Sequence, residues 1–394
     1  MADRDLGHGE GCHLMQALTY TPSIAKYVAT RAGLPGAGAL ALSEVRPPRM
    51  PGPGWLPIRP KLTGICGSDL ALISGKASLH LATLTSTPFV PGHEIVGEIG
   101  AGPRRGERVV VQPALGCSVR GVTPLCPECA QGVPALCRNV IDGNLSAGLQ
   151  TGFCRETGGG WSEGLVAHES QLHTVPDDLS DEDAVLVEPL ACGLHAARRA
   201  DVQPGETIAI IGAGTIGLLT LAAVREAAPS ATIIVVAKHA GQQTAARRFG
   251  ADDVLTPANL YIEGARITHS RRLVGHQSRE MLLGGFDRVL DCVGTGMSIE
   301  QSITITRPRG RVVLVGMPGE LKADLAPAWL RELELRSAYG YEHDFPAALE
   351  FAKTLKPGRL IDRGWPLRAF QKALETAPKS ARAGRVKTVF EIAA

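Results

Sequence analysis

No run of 18 apolar residues occurs in the 394-residue sequence, so no membrane-spanning helix is expected. The opening stretch MADRDLGHGEGCHLMQ lacks the apolar core of an export signal and reads as a loose tail, with structure starting near Met15. Clustered positive charge is also missing. The net charge is +2, and without a basic patch to meet phosphates no nucleic-acid partner is expected. Neither an internal repeat nor a low-complexity segment is present. Hydrophobic residues make up 44% and charged residues 20%, the balance of a folded globular protein, and the length allows two domains, each with its own core.

Cysteine is not scarce. There are nine, an odd number that fits complete disulfide pairing poorly. Without an export signal they point to a reducing compartment, the cytosol, where cysteines act as metal ligands or buried thiols.

Texture changes along the chain. Residues 15–178 are rich in Gly, Pro and short β-like runs such as RVVVQP and GLVAHE, which predicts a β-rich unit with long loops. Residues 179–318 alternate apolar strands (ETIAIIGAG, ATIIVVA, GFDRVLDCVG, GRVVLVGMP) with helical stretches, the pattern of a parallel sheet covered on both faces. Residues 319–394 add a helical FPAALEFAKTL and a strand-like RVKTVFEI. A boundary is expected near VPDDLSDEDA, where Ser180 or Asp181 would cap a helix running towards Ala200.

IIGAGTIGLL places Gly212, Gly214 and Gly217 in a G-x-G-x-x-G pattern, with Thr215 and Ile216 between. The pattern is weak alone. Here it follows a strand and opens a helix inside a strand–helix–strand unit, the context in which the glycines bring backbone N–H groups and a helix N-terminus up to a pyrophosphate. Val293 and Val315, at later strand ends, are expected to border the same cofactor. About 20 residues past the motif, where an NAD-binding chain carries Asp or Glu for the ribose hydroxyls, this one has Ala237, Lys238 and His239. A cation stands where a 2′-phosphate would lie, which predicts NADP over NAD; the alternative is that Lys238 is a solvated loop residue and NAD binds without its usual anchor.

A dinucleotide supplies no group to activate an alcohol, whereas zinc does. Catalytic zinc takes three protein ligands from Cys, His and carboxylate and keeps a position open. TGICGSDL offers Cys66, VPGHEIVG offers His93 and Glu94, and EPLACGLHA offers Glu188. Singly, each reads as a packed thiol or a solvated acid; together, upstream of a dinucleotide motif, they read as a metal site.

At GICGSDL, PGHEIVG, EPLACGLHA, GAGTIG and LRSAYGYEHDF the sequence resembles the zinc-containing medium-chain alcohol dehydrogenases, over residues 15–394. The resemblance implies an α/β fold: a GroES-like β-rich catalytic domain over 15–178, a Rossmann domain over 179–318, and a segment 319–394 that returns to the first. It implies Cys66 and His93 as catalytic zinc ligands, with Glu94 and Glu188 competing for the remaining position. Glutamate at 188, where simple alcohol dehydrogenases carry cysteine, points to the polyol, sugar and threonine dehydrogenase branch. Ser68 matches the hydroxyl that passes the substrate proton outward, and Asp69 the group that orients the ligands. The histidine many members carry two residues later is Ala71 here, so the proton must leave through ribose, water or another group. Cys126, Cys129 and Cys137 match the last three ligands of the family's structural zinc. Cys117 would be the first, set nine residues before Cys126 rather than three, so that about six residues, SVRGVT, are expected to loop out. Two zinc ions per chain, NADP or NAD, a small alcohol or carbonyl substrate and a homodimer or homotetramer follow from the resemblance. A non-catalytic nucleotide-binding relative and a zinc-independent quinone or enone reductase are the alternatives, and the metal ligand set argues against both.

Overall fold

The computed structural model describes residues 14–32, 38–317, 319–341 and 343–392; Cys12 and the rest of the tail lie outside them. Two sheets dominate. The first has seven strands in the order Ile361–Pro366, Lys387–Glu391, Trp55–Gly64, Ile95–Ile99, Arg108–Val111 and Leu172–Thr174, with Leu165–His168 paired to the first half of Trp55–Gly64. Strand Lys387–Glu391 runs antiparallel to Trp55–Gly64, with Val389 opposite Gly64 and Phe390 opposite Thr63. The last strand thus crosses the chain just before Cys66.

The second sheet has six parallel strands: Asp253–Leu255, Thr232–Val236, Thr207–Ile211, Phe286–Asp291, Thr306–Leu314 and Glu334–Ser337, in that spatial order. The order reverses beside Thr207–Ile211, the strand that feeds the glycine motif, and such a switch point opens a crevice for a ligand. Ile208, Ala209, Ile210, Val235, Val289 and Val312 are buried, as continuous apolar strands covered on both faces require. The α/β class read from the sequence is the fold.

Three features depart from the sequence reading. Ser180 does cap a helix, accepting from the Asp183 N–H at 3.1 Å, but that helix stops at Ala184 and a second spans Val187–Ala200. Pro189 forces the break, since its ring would clash with the carbonyl four residues back in a continuous helix, so the helix restarts with Pro189 in its first turn. Glu188 consequently sits at a helix start. The stretch 319–394 is divided: Glu334–Ser337 is the sixth parallel strand, while Ile361–Pro366 and Lys387–Glu391 join the first sheet. Four residues reading ELRS on a sheet edge carry no apolar run to announce a strand. An antiparallel hairpin, Arg271–Val274 with Glu280–Leu283, also stands outside both sheets. Among the described residues no helix is long and apolar enough to cross a membrane.

Candidate active site and metal centres

The turn after Trp55–Gly64 presents Cys66 at the mouth of helix Gly67–Ile73. In that helix's first turn Asp69, fully buried, accepts the Cys66 N–H on Oδ2 at 3.0 Å and places Oδ1 3.6 Å from His93 Nδ1. One carboxylate thereby orients both segments. Burial pushes the Asp69 carboxyl above its usual range, with His93 opposing. Cys66, His93 and Glu94 bring ligand atoms within 4.8 Å of one another, although His93 and Glu94 stand 27 and 28 residues after Cys66 in sequence. Glu188 is outside that trio but within its electrostatic field. Burial lifts its carboxyl to about 7, His93 pulls against this, and the Cys192 thiol donates to it at 3.7 Å. A thiol, an imidazole and carboxylates gathered where water is scarce are the donors zinc takes, and this set fits it.

Ser68 stands half-buried two residues after Cys66 in the same helix turn.

The glycine motif forms a tight turn into helix Thr215–Ala227. Gly212 has φ +98°, a conformation glycine adopts without cost. A Cβ at Gly217 would overlap the Gly212 carbonyl oxygen, so only glycine lets strand and helix approach this closely. At Gly214 a Cβ would meet nothing within 4 Å, which leaves the turn open on its outer side. Val293 closes over Gly212, and the Val315 N–H donates to Asp291 at 2.9 Å, so both valines stand where the neighbouring strands end. Ala237 is buried at the end of Thr232–Val236, Lys238 is exposed and His239 half-buried, and among the described residues neither Lys238 nor His239 has an acidic partner.

The chain matches two family models: the alcohol dehydrogenase GroES-like domain over residues 52–177 and the zinc-binding dehydrogenase over residues 215–354. It is 30% identical over 358 residues to L-idonate 5-dehydrogenase of Vitis vinifera, covering 86% of this chain and 89% of that one. This protein belongs to the zinc-containing medium-chain alcohol dehydrogenases. Sorbitol dehydrogenase of Arabidopsis thaliana is 28% identical over 354 residues, with the same coverage. Among solved structures, 2R,3R-butanediol dehydrogenase from Bacillus subtilis superposes with a TM-score of 0.72 at 25% identity, covering 96% of this chain and 99% of that one.

This dehydrogenase carries a second thiol cluster. Cys117, Cys126, Cys129 and Cys137 lie within 4.8 Å of one another. Cys137 Sγ stands 3.6 Å from Cys117 Sγ and 3.9 Å from Cys126 Sγ. Sulfurs about 2.3 Å from a central zinc ion in a tetrahedron would be about 3.8 Å apart, so the spacing fits. Backbone N–H groups of Cys117, Cys126 and Asn139 point at sulfurs of Cys129, Cys117 and Cys137, at 3.3–3.4 Å, a hydrogen-bond set suited to thiolates.

The residues between Cys117 and Cys126 loop out only in part: Gly121 and Thr123–Leu125 are exposed, while Cys117–Arg120 forms a helical turn that folds Arg120 inward, fully buried. Its guanidinium donates to the carbonyls of Leu115, Asp142, Leu145, Ser146 and Gly148. A charge buried this deeply is tolerable only because its donors are satisfied. The insertion is thus an internal brace for the loop after Cys137.

Other parts of this dehydrogenase's site escaped the sequence. Tyr339 and Tyr341, in the stretch LRSAYGYEHDF, lie in the field of Glu188 and Cys192; Tyr339 is 47% exposed, whereas Tyr341 is buried and burial pushes its hydroxyl well up. Lys387, 1% exposed, forms an ion pair with Glu94. The signal for it was a lone lysine inside the apolar strand RVKTVFEI.

Proposed function

We propose that this oxidoreductase interconverts a secondary alcohol of a polyol or sugar-type substrate with its ketone, using zinc at Cys66 and His93 and preferring NADP. The observation that carries the reading is the Cys66–His93–Glu94 cluster, with His93 and Glu94 buried and Glu188 beside it, in a chain that also carries a glycine turn of the kind a dinucleotide takes. The relatives named for sorbitol and idonate support the substrate class. Bound here, zinc supplies Lewis acidity towards a hydroxyl. The chain's own residues do the rest. Asp69 fixes Cys66 and His93, Ser68 offers the hydroxyl that takes the alcohol proton outward, and Tyr339 and Tyr341 wall the space beyond Glu188. The Gly212–Gly217 turn would hold the nicotinamide nucleotide, which when bound would supply the redox half of the reaction.

The units carrying this chemistry are a catalytic domain beginning near residue 15, completed by the strands Ile361–Pro366 and Lys387–Glu391, and a nucleotide domain from about 179 through Glu334–Ser337. The Cys117–Cys126–Cys129–Cys137 lobe holds a second, structural zinc. The cytosol is the compartment this reading assigns, since a four-thiolate site needs reduced cysteines.

The test is a panel of polyols, sugars and simple alcohols assayed with both cofactors. A vicinal polyol with NADP is expected to give the highest kcat/KM. Lys238→Ala should weaken the NADP preference about fivefold, the worth of roughly 1 kcal/mol from one partly exposed charge. Ala237→Asp should reverse it, because a carboxylate there repels a 2′-phosphate. An unmodified enzyme with kcat/KM for NAD equal to or above that for NADP overturns the cofactor reading, and turnover confined to simple primary alcohols overturns the substrate class.

The homo-oligomer is given as a dimer through the edge of the parallel sheet. Among the described residues strand Glu334–Ser337 has a partner on one side only, and beside it Trp329 is 83% exposed, Leu330 68% and Leu325 54%. An open strand edge next to so much bare apolar surface invites a second copy. Trp329→Arg is expected to shift sedimentation from dimer to monomer at micromolar concentration; a monomeric wild type, or a variant that stays dimeric, contradicts this.

A further inference from the structure

Arg385 lies in the turn between helix Phe370–Arg382 and strand Lys387–Glu391. Its side chain is exposed, and among the described residues it meets no carboxylate. The residues on either side of it are pinned to the nucleotide unit. Gly384, at φ +86°, crosses Gly241 so closely that a Cβ on Gly384 would overlap the Gly241 carbonyl, and one on Gly241 would overlap Ala383. On the other side the Val386 carbonyl accepts the Thr215 hydroxyl at 2.9 Å.

These two contacts locate Arg385. Thr215 is the first residue of the helix that follows the glycine motif. Gly241 is the second residue of helix Ala240–Arg248, which begins directly after Lys238 and His239. A dinucleotide on the glycine turn sets its pyrophosphate at the first of these helix starts and its adenosine ribose at the end of the second strand, here Thr232–Val236. A residue held between the two contacts therefore borders the adenosine end of the cofactor.

Charge agrees with that placement. Residues 237–251 contain no Asp or Glu but hold Lys238, Arg247 and Arg248; residues 376–390 contain none but hold Lys379, Arg382, Arg385 and Lys387. Lys387 is buried on Glu94, and Asp362 meets the second stretch at Ser380, whose hydroxyl it accepts at 2.6 Å. That leaves Lys238, Lys379, Arg382 and Arg385 exposed, in a chain whose net charge is only +2. Of the last three, Arg385 alone is flanked by both contacts.

We propose that Arg385 is a specificity-determining residue for the cofactor, a second cation on the adenosine 2′-phosphate beside Lys238, brought there from the far end of the chain by the crossing of Gly241 and Gly384. This rests on the NADP preference proposed above. A lysine supplies a point charge, whereas a guanidinium presents a planar fork that meets two phosphate oxygens at once.

The test is binding to the zinc-loaded full chain, read by fluorescence titration with NADPH and NADH and by calorimetry with 2′,5′-ADP and 5′-AMP. Arg385→Ala is expected to weaken NADPH and 2′,5′-ADP about tenfold, the scale of one charge-assisted hydrogen bond, and to leave NADH and 5′-AMP within about twofold. Arg247→Ala, at the far end of helix Ala240–Arg248, removes the same charge and should leave all four ligands within about twofold. An Arg385→Ala variant that keeps its NADPH affinity overturns the proposal. So does one that loses NADPH and NADH alike, which would make Arg385 a support of the fold or of the pyrophosphate, and so does an Arg247→Ala loss as large as that of Arg385→Ala, which would reduce the effect to the general field. A wild type that binds NADH as tightly as NADPH removes the NADP reading itself, and that outcome is seen before any variant is made.

Discussion

Cys66→Ser and His93→Ala are each expected to lower turnover by on the order of a thousandfold or more while leaving NADP(H) affinity within about twofold. Lewis-acid activation of a hydroxyl is worth several kcal/mol at the transition state, and each 1.36 kcal/mol is a factor of ten in rate. Nothing else in the pocket replaces it: Ser68 can carry a proton but cannot stabilise an alkoxide. Nucleotide affinity should survive because the Gly212–Gly217 turn rests on the parallel sheet, a different sheet from the one whose strands present Cys66 and His93. The measurements are steady-state turnover, fluorescence titration with NADPH and metal content, which should fall by one ion per chain. Near wild-type turnover in either variant would remove zinc from the chemistry. Loss of nucleotide binding together with turnover would mean that the two units do not fold separately.

Cys129→Ser should cost stability rather than chemistry. Zinc content is expected to fall from near two to near one per chain, with Tm lower by roughly 10 °C, taking about 3 °C per kcal/mol for a chain with domains of this size and a loss of several kcal/mol of metal-linked stability. The lobe has few other means of holding itself: its buried apolar cluster is three of the cysteines and Val140, with Leu84, Val122 and Leu149 partly buried against it, and Arg120 ties only Leu115 and the segment after Cys137. Differential scanning calorimetry and metal analysis on the same preparation decide the matter. Two zinc ions retained in the variant, or one in a fully active wild type, would show that these four thiols do not form a metal site.

The site was legible in the sequence to the extent that its chemistry is carried by residue type and short spacing. The glycine motif could be read because a strand-to-helix turn around a pyrophosphate requires three glycines at fixed offsets. Cys66, His93 and Glu94 could be read as a group because metal donors are few and their motifs are local. The helix break at Val185 and Leu186 was also available in principle, since Pro189 marks it. Arg120 was not, because nothing local distinguishes an arginine folded inward onto five carbonyls from one on a solvated loop.

By itself, then, the sequence determined the α/β class, the glycine turn, the two sets of candidate metal ligands and the lack of a carboxylate after the second parallel strand. All of these are fixed by contacts within a few residues or by side-chain chemistry that no fold can change. Only the tertiary structure decided that the strand around Lys387 runs antiparallel to Trp55–Gly64, that its ammonium meets Glu94 in the space left by Gly64, and that Glu334–Ser337 ends the parallel sheet with a bare edge. The first two of these join residues some 290 to 330 positions apart. Which of many chemically equal partners meet at such separations is settled by sheet register and by burial, neither of which leaves a trace in the local pattern.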